Sequence, residues 1–399
     1  MSDEAHLSEP SSFRWIILAL AWLVYFAFGL ILASIPPLVN VIATDLSLTY
    51  SEMGIILGSV ILMFIPLAVP VGVGIDRFGQ KKMIALGLLL ISASAILRSF
   101  AFSFETLFLT VLLFGVGGPT ISVGLSKVVA SSFEGKERGL ASGIYMTGAV
   151  VGAASALALT SSIILPLVGS WRNVFSFYGI IGFLIAFAWI LLARESKNDP
   201  DQSRIVLPMK EILRSLLGHK YVWMVAIIGS QSFLVFYGFG NWLPTLLEAK
   251  GMDPAGAGIL ASVPTWLGLI GSGIIPAVST AGSRKPIIVA LLLIEGVSIY
   301  VVGITSGAFL LGSLIIYGIV SGAIMPLMLV VMMDLPEIGS ENMGIAGGLF
   351  FSIGATMGFI GPSLVGYLTD LTGSFLPALI LLAIVVEAMI VPTLFLKED

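Results

Sequence analysis

Few residues in this sequence could form a reactive cluster. The chain has no cysteine, and of its two histidines His6 lies in a polar N-terminal segment and His219 in a loop. It therefore offers no thiol nucleophile and no histidine cluster for a metal. The G-x-x-x-x-G-K-[ST] loop that grips phosphate is also missing from the sequence. With no Ser/His/Asp set either, we expect a protein that is not an enzyme and that uses no cofactor or metal.

Two carboxyl side chains stand near the middle of long apolar stretches, Glu295 and Glu387. A charged group inside a membrane is costly, so a carboxyl in such a place is expected to hold its proton. Two interpretations follow. The carboxyls are neutral acids hydrogen-bonded to neighbouring helices, or they bind and release protons and couple a proton gradient to another process.

A charged turn, GVGIDRFGQKK, separates two apolar stretches between Gly72 and Lys82. Spelled G-x-x-x-D-R-x-G-x-K-K, it resembles the loop between helices two and three in the major facilitator superfamily of secondary transporters. The resemblance implies a gating role, in which the turn clasps a neighbouring helix end and steadies the outward-facing state. The gating residues would be Gly72, Asp76, Arg77, Gly79, Lys81 and Lys82. The alternative is that the basic residues are ordinary cytoplasmic anchors.

Composition indicates what must position these residues. Hydrophobic residues make up 57% of the chain and charged residues 11%, with a mean hydropathy of +1.07. Soluble domains carry about 25% charged residues, and a bilayer core needs about 20 apolar residues per helix. The sequence therefore predicts an all-α membrane protein with twelve transmembrane helices, here called spans one to twelve. They are expected at 13–39, 52–75, 82–101, 105–130, 139–165, 171–194, 221–248, 254–280, 285–306, 308–334, 341–369 and 373–396.

The twelve spans fall into two related halves. LGSV at Leu57 matches LASV at Leu260 at an offset of 203, and RGLASG at Arg138 matches MGIAGG at Met343 at an offset of 205. A nearly constant offset indicates a parallel duplication and predicts two pseudo-symmetric six-helix bundles. The expected division is a cytoplasmic tail over 1–12, a six-helix domain over 13–194, a cytoplasmic linker with an interfacial helix over 195–220, and a second six-helix domain over 221–396.

The positions of lysine and arginine predict the orientation. If the N-terminus is cytoplasmic, 16 of the 19 basic residues fall on the cytoplasmic side. Only Arg98, Arg172 and Lys250 fall on the other side. Basic residues concentrate on the cytoplasmic side of membrane proteins. We therefore expect a multi-pass protein of the cell membrane with both termini in the cytoplasm.

The resemblance also implies where a solute would bind, because spans one, four, seven and ten line the cavity of this fold, with five, eight and eleven beside them. The aromatic and amide side chains on these spans are Tyr25, Tyr145, Gln231, Tyr237, Asn241 and Trp266. Gln231 and Asn241 are expected to face the cavity. The alternatives are that both amides bond within their own bundle and that the aromatic residues belong to the membrane interface. No arginine lies at mid-depth on these spans, which favours a small, weakly polar solute over an anion.

Three stretches narrow the resemblance to the cyanate/2-nitroimidazole transporter family. They are GSQSFLVFYGFGNWLPTLLEAKGMDPAGAG from Gly229, GSWRNVF from Gly169, and GPSLVGYLTDLTGSFLPAL from Gly361. A fourth, LSKVVASSFEGKERGLASG from Leu125, is similar to choline or haem carriers of the feline leukaemia virus receptor type.

The function that these resemblances imply is secondary active transport of a small organic solute by alternating access, with proton coupling left open. The alternatives are an organic-cation or haem-type carrier and a membrane sensor that transports nothing. The expected partners are the solute, the lipid bilayer and, if coupled, protons. No nucleic acid is expected to bind, and the chain is expected to be a monomer.

Overall fold

The computed structural model of the protein describes residues 13–194, 218–335 and 338–396. Every long element in these ranges is an α-helix, and twelve of the helices are long and apolar enough to cross a membrane. The prediction of an all-α protein with twelve spans is therefore confirmed. The tail over 1–12 lies outside the described residues, and so does nearly all of the predicted linker and its interfacial helix.

The first six spans have the following bounds. Span one consists of Phe13–Leu32 and Val39–Leu46, joined through a 3₁₀ turn at Pro36–Leu38. Span two consists of Tyr50–Leu62 and Phe64–Phe78. Spans three and four are Gln80–Arg98 and Phe104–Ser132. Span five is Gly135–Leu159, continued by a π-helical turn at Thr160–Ile164 and by Leu165–Val168, and span six is Trp171–Leu192.

The second six spans follow the same pattern. Spans seven to ten are Lys220–Ala249, Pro254–Val278, Arg284–Ile304 and Gly307–Met333. Span eleven is Gly339–Thr372, and span twelve consists of Leu376–Ala388 and Ile390–Leu394. Polar caps begin several of these helices: Thr49 and Glu52 form a capping box at span two, and Asp253 accepts from the Gly256 amide at span eight. The caps satisfy amides that the first helical turn leaves unbonded.

The charged turn is shorter in the structure than in the sequence prediction. Span two stays helical through Phe78, and span three begins at Gln80. Only Gly79 reverses the chain, with a φ of +88° that favours glycine over other residues. Asp76 and Arg77 consequently lie on the last turn of span two and not in a loop.

Glycines allow the helices within each bundle to approach closely. Gly148 and Gly152 of span five face backbone atoms of span one. In the other bundle, Gly361 of span eleven faces the backbone of Leu234 and Gly238 on span seven. Small residues of this kind permit close helix packing in lipid, where apolar burial between helices provides little drive.

The two bundles meet along a seam between spans two and eleven and between spans five and eight. Gly54 of span two faces the carbonyl of Pro362 on span eleven, and Gly258 of span eight faces the carbonyl of Leu157 on span five. The two glycines are 204 residues apart, which matches the offset of the internal repeat. The two contacts are therefore pseudo-symmetric copies of each other.

Candidate functional site

Three of the predicted solute-binding residues come together where the bundles face each other. The rings of Tyr25 on span one and Tyr145 on span five lie 5.6 Å apart between centroids. The Tyr25 hydroxyl lies beside Ser122 on span four. Tyr237 on span seven belongs to the other bundle and lies close enough to Tyr25 for the two hydroxyls to interact electrostatically. We call Tyr25, Tyr145 and Tyr237 the tyrosine cluster.

Aromatic and small residues surround the tyrosine cluster. Tyr25 stacks on Phe28 at 5.5 Å between ring centroids, and Phe28 contacts Phe114 at 5.3 Å. In the other bundle, the ring of Tyr237 lies against Gly358 of span eleven. The cluster therefore places hydroxyl groups among otherwise apolar side chains. Such a site can hold a flat or weakly polar solute through ring contacts and a few hydrogen bonds.

The other three predicted solute-binding residues lie apart from the tyrosine cluster. Gln231 is only 2% exposed, and its amide lies beside the Glu295 carboxyl of span nine, inside its own bundle. This placement favours the alternative interpretation of Gln231 as a residue that bonds within its bundle. Asn241 is half-buried and Trp266 is 42% exposed. Neither makes a side-chain hydrogen bond or ring contact within the part of the chain that the structure describes.

Both predicted coupling carboxyls lie where spans nine and twelve pack together. Glu295 is 1% exposed and interacts with Gln231 of span seven and with Tyr317 of span ten. Among the described residues, its Oε2 atom and the Oε1 atom of Gln231 have no hydrogen-bond partner. Glu387 is half-buried and packs against Gly296. Glu295 is thus the more enclosed of the two and the one tied to a cavity-lining span.

The charged residues that end span two interact within their own bundle. Asp76 forms an ion pair with Lys127 of span four. Arg77 lies over the ring of Phe78, and the Lys81 carbonyl accepts a hydrogen bond of 3.0 Å from Trp189. The second half also has an ion pair, between Arg284 at the start of span nine and Asp334 just after the end of span ten.

Arg98 is a buried cation that the sequence did not identify as unusual. It is 0% exposed, and its guanidinium lies between the rings of Phe114 and Phe175, 5.7 Å from each. It donates to the Ile31 carbonyl at 3.3 Å and to Ser34 Oγ at 3.3 Å. These acceptors lie where the first helix of span one ends, so Arg98 satisfies oxygen atoms that the broken helix leaves without partners. The sequence gives its depth in the membrane but not the direction of the side chain.

A pocket of about 480 Å³ opens beside the seam, at the end of the molecule where span two begins and span eleven ends. Because spans two and eleven pack against each other here, we call this end the closed end. Lys250 lines the pocket, but its ammonium donates to the carbonyls of Gly303 at 2.8 Å and Thr305 at 3.0 Å. Burial lowers the pKa of Lys250. The charge of Lys250 is therefore engaged with carbonyl groups at the end of span nine.

Comparison with known proteins agrees with the helical architecture. The model of the Major Facilitator Superfamily matches residues 21–362 of the chain. An uncharacterized transporter of Bacillus subtilis (strain 168), YycB, is 27% identical over 391 residues, which cover 94% of this chain and 92% of that protein. The hexuronate transporter of the same organism is 28% identical, covering 85% and 84%. A probable nitrate transporter of Staphylococcus epidermidis, NarT, is 27% identical, covering 88% of each.

A solved structure shares the fold. It is a bacterial homologue of the human lysosomal transporter Spinster in an inward-facing and unoccupied conformation, with a TM-score of 0.73 and 18% sequence identity. The superposition covers 97% of this chain and 95% of that one. The twelve spans in two bundles and a family model that covers most of the sequence lead to one conclusion: the chain belongs to the Major Facilitator Superfamily and is a membrane transporter.

Proposed function

We propose that this transporter carries a small, weakly polar organic solute, which binds between the bundles at the tyrosine cluster. The observation that supports the proposal is the meeting of Tyr25 and Tyr145 from one bundle with Tyr237 from the other. A solute bound there would contact both bundles, so its binding energy could depend on their relative position. That dependence is what a solute needs in order to shift a transporter between conformations.

The charges near the cluster favour a neutral solute over an anion. The guanidinium of Arg98 is enclosed within its own bundle, and Lys127 is paired with Asp76. Within the described ranges, no lysine or arginine side chain contacts the three tyrosines. The relatives include proteins named for hexuronate and nitrate, and anions of that kind are usually held by cationic side chains. We therefore favour a neutral solute such as the 2-nitroimidazoles of the family that the sequence resembles.

An organic cation of the choline type is the second candidate. The faces of aromatic rings attract quaternary ammonium groups, which makes a cluster of rings a suitable site for such a solute. Tyr25, Phe28 and Tyr145 already present three rings within 5.6 Å of a neighbour. The choice between the two candidates depends on whether the bound solute carries a positive charge.

Ligand binding by purified variants would test the site. Thermal-shift and equilibrium-binding measurements would compare 2-nitroimidazole, choline, glucuronate and nitrate. We expect Tyr145→Phe and Tyr237→Phe to weaken binding of the preferred solute about fivefold each, because each loses one hydrogen bond worth about 1 kcal/mol. Tyr367→Phe is the control, because Tyr367 is 56% exposed on span eleven. Tight glucuronate or nitrate binding that is insensitive to both tyrosine changes would refute the proposal.

We also propose that Glu295 carries the coupling proton. A proton on the carboxyl can be donated in a hydrogen bond, and the Oε1 atom of Gln231 is a nearby acceptor without a partner among the described residues. Loss of the proton would leave a buried charge beside span seven, which also carries Tyr237. About two helical turns separate Gln231 from Tyr237. The protonation of Glu295 would in this way affect the position of a solute-binding residue.

Uptake into proteoliposomes with an imposed pH gradient would test the coupling. We expect Glu295→Gln to abolish accumulation driven by the gradient, because the amide cannot release a proton. Solute exchange at equal pH should persist at roughly the parental rate. Glu387→Gln is the comparison, since Glu387 packs on the same helix pair but is only half-buried. If Glu295→Gln still accumulates solute along the gradient, Glu295 does not carry the proton.

The proposal also covers the location, oligomeric state and orientation of the transporter. We place the chain in the cell membrane as a monomer, with both termini in the cytoplasm. In that orientation the closed end faces outward, and the structure corresponds to an inward-facing conformation. The likeness to an inward-facing transporter structure agrees with this assignment.

A further inference from the structure

Asp370, near the end of span eleven, makes contact with the other bundle. Its carboxylate accepts from the backbone amides of Tyr50 at 3.1 Å and Ser51 at 2.7 Å, and from Ser51 Oγ at 2.5 Å. Tyr50 and Ser51 are the first two residues of span two. A carboxylate of one bundle thus lies at the N-terminus of a helix in the other.

The contact completes the capping of span two. Thr49 and Glu52 form a reciprocal capping box, in which Thr49 Oγ1 accepts from the Glu52 amide and Glu52 accepts from the Thr49 amide. The amides of Tyr50 and Ser51 are not satisfied by that box, and Asp370 accepts from both. The N-terminus of a helix also carries partial positive charge, which strengthens its interaction with a carboxylate.

A second carboxylate crosses the seam nearby. Glu248, near the end of span seven, accepts a hydrogen bond of 2.6 Å from Asn40 Nδ2 in span one. Asn40 Oδ1 in turn accepts from the Tyr50 hydroxyl at 3.3 Å. Tyr50 therefore links the two carboxylate contacts. Its ring also packs at 5.5 Å on Trp242 of the opposite bundle.

In the part of the chain that the structure describes, this arrangement occurs once, although the fold is duplicated. The residue 204 positions before Asp370 is Pro166, which has no carboxylate. Span eight, the counterpart of span two, is capped by its own Asp253, which accepts from Gly256 at 2.9 Å. The glycine contacts of the seam are present in both copies, whereas the Asp370 contact belongs to the pair of spans two and eleven alone.

We propose that Asp370 and Glu248 form a latch that holds the closed end shut and sets the balance between the two conformations of the transport cycle. Both residues are positioning residues, since they act on the bundles and do not touch the solute. Opening the closed end separates span two from span eleven and removes at least four hydrogen bonds that involve a carboxylate. Replacing Asp370 with a neutral side chain lowers that cost and shifts the population toward the conformation open at this end.

A distance measurement between the bundles tests the latch without any solute. The chain has no native cysteine, so two introduced cysteines can be spin-labelled selectively. Phe102→Cys and Ser306→Cys are suitable, because both positions are exposed and they are 204 residues apart in equivalent loops of the two halves. Double electron–electron resonance on the full-length protein in nanodiscs would then report how far apart the two bundles lie at the closed end.

We expect Asp370→Asn to raise the ratio of long to short distances about tenfold relative to the parent, the effect of losing the charge from several hydrogen bonds. Ser51→Ala, which removes one donor from the other bundle, should shift the ratio less and in the same direction. Glu248→Gln should also favour long distances. Asp253→Asn is the matched control, because it caps a helix within its own bundle, and its distances should equal those of the parent.

Two outcomes would overturn the latch. One is an unchanged distance distribution in both Asp370→Asn and Ser51→Ala. The other is an equal shift in Asp253→Asn, which would indicate a general effect of lost helix caps. Size-exclusion profiles of each variant check folding, and Ser51→Ala provides a mild variant should Asp370→Asn aggregate. Because no solute is present, failure of the latch is distinguishable from failure of the proposed solute site.

Discussion

At the scale of single residues, Asp76 has both a role implied by the resemblance and a partner shown by the structure. The resemblance implies a gating residue, and the structure pairs Asp76 with Lys127 in its own bundle. Asp76 is 70% exposed in this pair, and exposed ion pairs contribute little to stability. The pair is therefore better suited to favouring one conformation than to holding the bundle together.

We predict that Asp76→Asn lowers turnover several-fold and shifts the balance of conformations, with little change in melting temperature. Solute affinity corrected for that shift should hardly change, because Asp76 lies at the end of span two and far from the tyrosine cluster. Solute uptake, binding and thermal melting together measure these effects. The double variant Asp76→Lys with Lys127→Asp should restore most of the turnover, since it keeps an ion pair between spans two and four with the signs exchanged. A large loss of intrinsic affinity with an unchanged balance would contradict the gating role.

The sequence indicated which spans carry candidate side chains but not which side chains come together, for a physical reason. Tyr25, Tyr145 and Tyr237 could be selected because the resemblance implies which spans line the cavity. The surroundings of Gln231 and Arg98 could not be selected, because a nearly uniform apolar helix does not reveal which way a side chain points. The partners of Asp370 are more than 300 residues distant in the chain, and no local pattern relates them.

At the scale of elements, helix lengths were predictable and helix breaks were not. A run of apolar residues sets the length of a span, because the bilayer thickness does. The sequence placed span one at 13–39 without a break, whereas its first helix ends at Leu32 and a second begins at Val39. Pro36 and Pro37 cause the break, since proline has no amide hydrogen to continue the helix. The length of the charged turn was overestimated, because charged residues do not by themselves end a helix. Here the chain reverses at Gly79 alone.

The packing of spans eight and ten gives a prediction at this scale. A methyl group at Gly322 of span ten would overlap backbone atoms of Gly268 on span eight, whereas one at Gly312 would meet open space. We expect Gly322→Ala to destabilise the protein by about 2 kcal/mol, because two backbones must separate. Gly312→Ala should leave stability unchanged or raise it by up to about 1 kcal/mol through helix propensity. Thermal melting in detergent measures both, and equal melting temperatures for the two variants would contradict the packing.

At the scale of the whole molecule, the repeat and the distribution of charge specify most of the architecture. The constant offset near 204 residues predicts two related bundles, and the twelve spans agree with it. The duplication does not predict where the halves differ. Glu295 corresponds to Ile91 and Arg98 to Val302 at that offset. In each pair one half buries an ionisable side chain where the other half has an aliphatic one.

The orientation of the chain in the membrane gives a prediction for the whole molecule. We expect a membrane-impermeant maleimide to label Phe102→Cys and Ser306→Cys in intact cells. Glu134→Cys and Gln202→Cys should react only after permeabilisation, because the basic residues concentrate on their side of the membrane. The absence of native cysteine makes every signal specific to the introduced residue. Labelling of Gln202→Cys in intact cells would place the termini on the opposite side.

The two pseudo-symmetric glycine contacts of the seam also restrict how the molecule can fluctuate. Gly54 against Pro362 and Gly258 against Leu157 are two points at which the bundles touch backbone to backbone. Two fixed points define a line, and a rigid body held at both retains one degree of freedom, rotation about that line. Displacement then grows with distance from the line, so a rotation of about 10° moves a helix end about 30 Å away by about 5 Å. Thermal motion of this conformation should therefore be small at the closed end and largest at the opposite face of the membrane.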